Sequence, residues 1–158
     1  MIEQERHKMS KYEGVISFLD YRVTSVTFEL NQNYDANEKT ADVNIEAKSD
    51  YVIADEKTNM IAILQIQIFG DEEGNYPFKM NVELEGLFEL SGEIKNEDIR
   101  KYYANALSIL YPYARAIVSN YTANANVEPL ILPTVNIWKM INSQKEEYRT
   151  LKHNAKKV

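Results

Sequence analysis

An apolar stripe of helical spacing runs from Ile99 to Tyr121 and contains a proline, Pro112. Apolar side chains recur there every three or four residues, which predicts one amphipathic helix. A proline inside a helix removes a hydrogen bond and costs about 3 kcal/mol unless the surrounding packing compensates. Because the stripe continues in phase beyond Pro112, we expect the helix to bend there without ending. Asn96, which two acidic residues follow, is the predicted N-cap of this helix.

The part of the chain before this helix has the alternation typical of β-strands. A change of phase near Thr24 and Ser25 indicates a bulge in the first strand. A turn at Asp71–Asn75 predicts a hairpin between the last two strands. Four consecutive strands with short connections favour an antiparallel meander with one buried face, and the third strand is expected in the centre of the sheet. The predicted strands are Val15–Leu30, Ala41–Ala47, Met60–Phe69 and Phe78–Leu84.

The chain after the long helix divides into a connection and a second helix. Residues 122–135 contain two prolines and no period, so they are predicted to be a loop, whereas 137 to about 151 fits a shorter helix. Strands followed by helices indicate an α+β fold. A length of 158 residues, 44% of them hydrophobic, favours a single domain over 1–158. The ends, 1–11 and 152–158, are expected to be flexible.

Composition disfavours several classes of protein. A net charge of −6 disfavours a nucleic-acid binder, since phosphate neutralisation requires a basic surface. No apolar run approaches the roughly 18 residues of a membrane span, so membrane insertion is not expected. The chain has no Cys, which excludes disulfide and zinc–thiolate chemistry. Together with a start unlike a secretory signal peptide, this favours the cytoplasm.

The polar residues do not form a recognisable catalytic pattern. Both histidines, His7 and His153, lie near the chain ends, where a positioned general base or metal ligand is not expected. The acidic runs at 71–73 and 83–85 are interpreted as a turn and a solvated strand face. Arg115 is interpreted as a salt-bridge or surface residue rather than a catalytic one. No nucleophile elbow, phosphate-binding loop or metal-spaced cluster occurs. We therefore predict no enzyme activity, no cofactor and no metal.

Two sequence segments resemble the signature of the SecB family of protein-export chaperones. They are Asn105 with Ile109–Arg115 and then Leu130–Asn136, and Gly86, Phe88 and Gly92 match more weakly. The resemblance covers nearly the whole chain. It implies a four-stranded antiparallel sheet, a long kinked helix, a crossover loop and a shorter second helix. It also implies a homotetramer, built as a dimer of dimers, that acts as an ATP-independent holdase for unfolded or partly folded polypeptides.

The same resemblance implies two sets of site residues. Phe78, Met80 and Val82 match positions that support subunit association in the family. A client-peptide groove is implied between the crossover loop and the second helix, where a flexible methionine would suit varied clients. The alternative for both sets is ordinary core packing within one chain. The implied groove residues are Val127, Leu130, Leu132, Val135, Ile137, Met140 and Ile141.

Docking of the translocation ATPase SecA, also implied by the family, is disfavoured by the residues present. The matching sheet positions are Ser25, Glu29, Lys79 and Asn81, so Glu29 is the one remaining carboxylate. A lysine among them alters the charge complementarity that steers docking. Because some SecB-like proteins protect one antitoxin of a toxin–antitoxin system, that dedicated role is the alternative function. A small-ligand α+β binding domain is the third hypothesis, should the resemblance be superficial.

Overall fold

The computed structural model describes residues 14–70 and 73–144. A second helix, α2, begins at 137 and continues to 144, where the described residues end, so the predicted part at 145–151 lies outside them. The predicted flexible ends, 1–11 and 152–158, also lie outside them. The α+β prediction, with a four-stranded antiparallel sheet, is confirmed. The other elements are β1 (Ile16–Leu30), β2 (Ile45–Ile53), β3 (Asn59–Ile68), β4 (Phe78–Leu90), a 3-10 turn (Asn96–Asp98) and α1 (Ile99–Asn124).

The sheet has the strand order β1-β4-β3-β2, and every neighbouring pair is antiparallel. The third strand is central, as predicted. The prediction of a simple meander is wrong, because β1 lies beside β4 and the chain crosses from one edge of the sheet to the other between β1 and β2. This arrangement is a Greek key. The connection at 31–44 is long enough for the crossing, and β1 and β2 become the two edges.

Details of β1 and β2 differ in part from the sequence pattern. The register shift between Val23 and Ser25 confirms the predicted bulge, and a second shift falls between Phe18 and Asp20. The second strand begins at Ile45 rather than at Ala41. Ala41 instead donates its backbone N–H to the carbonyl of Asn75 at 2.9 Å, which ties it to the loop between β3 and β4. The predicted hairpin between β3 and β4 is confirmed, whereas residues 71 and 72 of its predicted turn lie outside the described residues; Gly74 adopts a φ of 80°.

The core lies between one face of the sheet and α1. Alternate residues of β3 and β4 are buried, and their neighbours are partly exposed on the outer face. Helix α1 contacts β1, β3 and β4. A Cβ atom at Gly86 would lie 2.6 Å from Cδ2 of Leu110, so the helix approaches the sheet backbone closely at this point.

Helix α1 continues through Pro112, as the phase of its apolar stripe predicts. Its buried stripe includes Leu107, Leu110 and Val118. The predicted N-cap is wrong, because Asn96 begins the 3-10 turn and Asp98 occupies the N-cap position of α1 without a side-chain capping bond. The acidic residues that indicated the helix start, Glu97 and Asp98, lie within the 3-10 turn. The sequence pattern therefore placed the start of α1 within one helical turn of its observed position.

Candidate functional site

A groove of about 550 Å³ lies between the edge strand β2 and helix α2. Ile45 and Ala47 line it from the strand side, and Val135 and Met140 line it from the opposite side. Polar side chains, among them Lys139, also line it. The full lining is Ile45, Glu46, Ala47, Lys48, Val135, Asn136, Lys139, Met140, Ser143 and Gln144.

The backbone of β2 also faces this groove. Asn44 accepts a hydrogen bond from the Phe69 N–H at 2.8 Å, so the even-numbered positions here point toward β3. Successive residues of an antiparallel strand alternate between pointing toward the partner strand and away from it. In agreement, the carbonyl of Ser49 points outward and accepts a bond from the Gln144 amide at 3.2 Å. The backbone groups of Ile45 and Ala47 therefore point out toward the groove.

The crossover loop is attached to α1 by a buried threonine. Thr122 is fully buried, and its hydroxyl accepts the Leu130 N–H at 2.9 Å while donating to the Val118 carbonyl at 2.8 Å. Ser119 donates to the Leu130 carbonyl at 3.0 Å. Both backbone groups of Leu130 are thereby bonded to side chains of the helix. These bonds fix the path of the loop beside the groove.

A second attachment lies one helical turn before Arg115. The hydroxyl of Tyr111 donates to the carbonyl of Pro133. Burial raises the pKa of Tyr111, and the positive charge of Arg115 opposes this rise. Leu132, next to Pro133, is fully buried in the core. The crossover loop is thus held by one apolar anchor and by hydrogen bonds on both sides of it.

The seven predicted groove residues occupy different environments. Leu132 is 0% exposed and Ile141 is 8% exposed, so the geometry favours core packing for these two. Val135 is 37% exposed and, with Met140, lines the groove beside β2. Their role in client binding stays a prediction. The remaining three, Val127, Leu130 and Ile137, are partly buried against the core.

Several exposed apolar residues were not predicted from the sequence. Ile131 is 68% exposed and Trp138 is 47% exposed. Trp138 packs under the guanidinium of Arg100, 5.9 Å from its ring centroid. Ile131 is the outward partner of buried Leu132, so an alternating pattern within the loop could have identified it. The sequence pattern could not identify Ile45 and Ala47 as groove residues, because it does not show that β2 is an edge strand.

The predicted subunit-association residues face the core of the single chain. Phe78, Met80 and Val82 are almost fully buried on the face of β4 that α1 covers. Their predicted role between subunits stays a prediction, and within the chain they stabilise the sheet. Glu29 is exposed and lies opposite Lys79 in the pairing of β1 with β4, so an acidic and a basic residue are neighbours at the predicted SecA position.

The described residues contain no metal-binding cluster, since no three His, Cys, Asp or Glu side chains among residues 14–70 and 73–144 could hold an ion together. No helix in that part of the chain is both long and apolar enough to cross a membrane. His7 and His153 lie outside the described residues.

Apolar pockets beside an edge strand are a recurring geometry among peptide-binding proteins, since the strand edge pairs with extended backbone and the pockets take alternate side chains. A sequence profile of the SecB family, described as preprotein translocase subunit SecB, matches residues 19–148. The chain belongs to the SecB family.

The chain is also similar to curated relatives and to solved structures. An uncharacterised protein of Methanocaldococcus jannaschii is 32% identical over 83% of this chain and 85% of its own length. The protein-export protein SecB of Chromohalobacter salexigens is 29% identical over 56% of this chain and 54% of its own. A SecB-like chaperone of Mycobacterium tuberculosis, solved with a ChAD peptide from the HigA1 antitoxin, matches with a TM-score of 0.62 and 16% identity, over 77% of this chain and 91% of that one.

A fourth match is a Streptococcus agalactiae protein of unknown function, with a TM-score of 0.52 and 17% identity over 75% of this chain and 97% of that one. At these identities the two structural matches concern the fold. Both proteins share the arrangement of sheet and helices with this chain.

Proposed function

We propose that the protein is an ATP-independent holdase that binds unfolded or partly folded polypeptides in the groove between β2 and α2. The observation that carries the proposal is this groove, which combines apolar walls with the outward backbone of an edge strand in a chain of the SecB family. Holding a client requires no covalent step, so the function needs neither a cofactor nor a catalytic residue. A cytoplasmic location stays a prediction from the sequence.

The size of the groove bears on how tightly one chain would bind. Each apolar client side chain buried there contributes about 1.5 to 3 kcal/mol at most, before the cost of ordering the client is subtracted. One groove therefore binds weakly. Several grooves on one oligomer would raise the overall affinity by roughly 10² to 10⁴. This supports a homotetramer, arranged as a dimer of dimers, that a long client can wrap.

The sheet has an edge that a second copy could use. Strand β1 is an edge strand of 15 residues and includes the exposed apolar residues Val23 and Leu30. Long edge strands pair readily with other chains unless they are covered or charged. We therefore place the self-association surface of the proposed oligomer at β1 and leave the β2 edge to the client.

A dedicated role with one antitoxin is the second candidate. It is favoured by the charge pattern at the predicted SecA position, where Lys79 lies opposite Glu29. The Mycobacterium tuberculosis chaperone of similar fold was solved with an antitoxin peptide, which agrees with a polypeptide ligand. Suppression of aggregation for several unrelated unfolded clients would favour the general role, and binding confined to one antitoxin would favour the dedicated one.

The groove is tested by a pair of matched variants. Val135→Asp places a carboxylate in the groove wall, whereas Val52→Asp places one on the outer face of the sheet, where Val52 is 59% exposed. We expect Val135→Asp to weaken client binding about tenfold or more, since the change removes apolar contact and desolvates a charge. The affinity of Val52→Asp for the client should stay within about twofold of that of the wild type.

The measurements are suppression of aggregation of a chemically unfolded client and the fluorescence of Trp138, the single tryptophan of the chain. Circular dichroism of both variants checks that they fold. Equal losses in Val135→Asp and Val52→Asp, or no loss in either, would contradict the assignment of this groove.

A further inference from the structure

A second, smaller pocket of about 230 Å³ lies where Pro112 interrupts the hydrogen bonding of α1. We call it the proline pocket. It shares Val135 with the groove beside β2, so a client in that groove reaches it without leaving the surface. Its lining includes Ser108, Tyr111, Pro112, Arg115, Thr134 and Val135.

The charge of the proline pocket comes from Arg115. This side chain is partly buried and carries a guanidinium group. Among residues 14–70 and 73–144, no carboxylate lies within ion-pair distance of it. A permanent charge that is partly removed from water is stabilised by an anion brought next to it. The pocket therefore favours a negatively charged group.

The other polar groups of the pocket leave Arg115 as its principal donor. The hydroxyl of Tyr111 already donates to the Pro133 carbonyl, and that of Ser108 donates to the Ala104 carbonyl at 2.9 Å. Pro112 has no N–H to offer. The exposed hydroxyl of Thr134 is the further donor within the pocket. A fork of guanidinium N–H groups with one hydroxyl beside it matches the two oxygens of a carboxylate.

Apolar side chains adjoin this donor set. Val135 and Ile137 line the proline pocket next to Arg115, so an anion bound there would be attached to an apolar segment. The chain as a whole carries a net charge of −6, which disfavours acidic clients at a distance. A local cation beside the groove would select acidic residues at one position of the bound segment.

We propose that Arg115 binds a carboxylate of the client polypeptide, whose neighbouring apolar residues occupy the groove at Val135. The carboxylate belongs to an aspartate or glutamate side chain or to the C-terminus of the client. This inference rests on the proposed holdase function and adds a preference for an acidic group beside the apolar residues. Arg115 is thus a specificity residue of the binding site.

Three peptides that share one extended apolar segment test the proposal. The first carries an internal glutamate and an amidated C-terminus, the second has glutamine in its place, and the third is the glutamine peptide with a free C-terminal carboxylate. Titration calorimetry, together with Trp138 fluorescence, measures their dissociation constants. The wild type should bind the first or the third peptide about tenfold more tightly than the second, and the comparison identifies which source of carboxylate is used.

Two variants complete the experiment. Arg115→Gln should abolish the preference for the carboxylate, so that it binds the three peptides with equal affinity. The control is Lys95→Gln, which removes a positive charge from an exposed position outside the groove, the proline pocket and strand β1, and should keep the full preference.

The two proposals fail in different ways. Equal affinity of the wild type for all three peptides would overturn the role of Arg115 while leaving the holdase function standing. A loss in Arg115→Gln that is the same for all peptides, or a change of its oligomeric mass in light scattering, would overturn it in favour of a structural or interface role. Absence of binding by every peptide to the wild type would overturn both proposals.

Discussion

The hydroxyl of Tyr103 connects the first turns of α1 to the edge strand β2. It donates to Ser49 Oγ, and the Tyr103 ring packs against Tyr51 with a centroid distance of 4.7 Å. Ser49 in turn bonds Gln144 of α2, so one residue of the strand contacts both helices. Burial raises the pKa of Tyr103, although its hydrogen bond to Ser49 opposes the rise. Ser49 thus connects the two walls of the groove to the titratable hydroxyl of Tyr103.

Replacing Tyr103 should change how stability depends on pH. The pKa of Tyr103 is raised in the folded state, so its contribution is fully present below the unfolded pKa of about 10 and is lost as the pH rises through the folded value. Near neutral pH, Tyr103→Phe should lower the free energy of unfolding by about 1 kcal/mol, since it loses a hydrogen bond. The variant should also lose less stability than the wild type above a pH of about 10.

Urea denaturation on both sides of the tyrosine pKa measures these differences. The same decline of stability with alkaline pH in Tyr103→Phe and in the wild type would show that this phenol does not contribute to the alkaline transition.

At the scale of elements, the contact between α1 and the sheet depends on the absence of a side chain at Gly86. A Cβ atom there would lie 2.6 Å from Leu110 and 2.8 Å from the ring of Phe88, both of which are fully buried. Neither neighbour has free space to move into, because protein interiors are closely packed. The need for a glycine at position 86, one of the weaker matches to the family signature, thus has a steric explanation.

Gly86→Ala should destabilise the protein by about 1 to 3 kcal/mol, since overpacking displaces the helix or the ring. The control is Gly14→Ala, where the added Cβ would meet only the Ile16 carbonyl at 3.9 Å. Thermal unfolding followed by circular dichroism measures both variants. Equal melting temperatures for Gly86→Ala and the wild type would show that α1 can move away from the sheet without cost.

The sequence predicted the faces of the elements better than their neighbours. Alternation identifies which side of β3 and β4 is buried, because side chains of a strand point to opposite faces in turn. It carries no information about which strands pair, so the place of β1 beside β4 could not be predicted. The same limit applies to the site. Val135 and Met140 were predicted through the family resemblance, whereas Ile45 was missed because its exposure follows from the strand order.

Loop geometry was a second limit. The two prolines of the crossover loop predicted a connection without regular structure. In agreement, residues 125–136, between α1 and α2, form no helix or strand. The attachment of the loop depends on hydroxyl groups that Thr122 and Tyr111 direct toward backbone atoms of the loop. Their positions on the helix were predictable, but their partners follow from the path of the loop.

At the scale of the whole molecule, the sheet formed by the described residues has two edge strands with different surroundings. Strand β2 is adjoined by α2 and the groove, and β1 lies at the opposite edge of the sheet. Pairing through β1 would place the grooves of two copies at the far ends of one continuous sheet. A client bound in both grooves would then be held at two points, which would raise the overall affinity above that of either weak site.

The central claim is that several copies of this chain together hold an unfolded polypeptide, and light scattering of the purified protein with and without a chemically unfolded client tests it most directly. We predict a mass about four times the 18.3 kDa of one chain, and a larger, stable mass once the client is added. A mass of 18.3 kDa that stays unchanged while the client aggregates would contradict the claim.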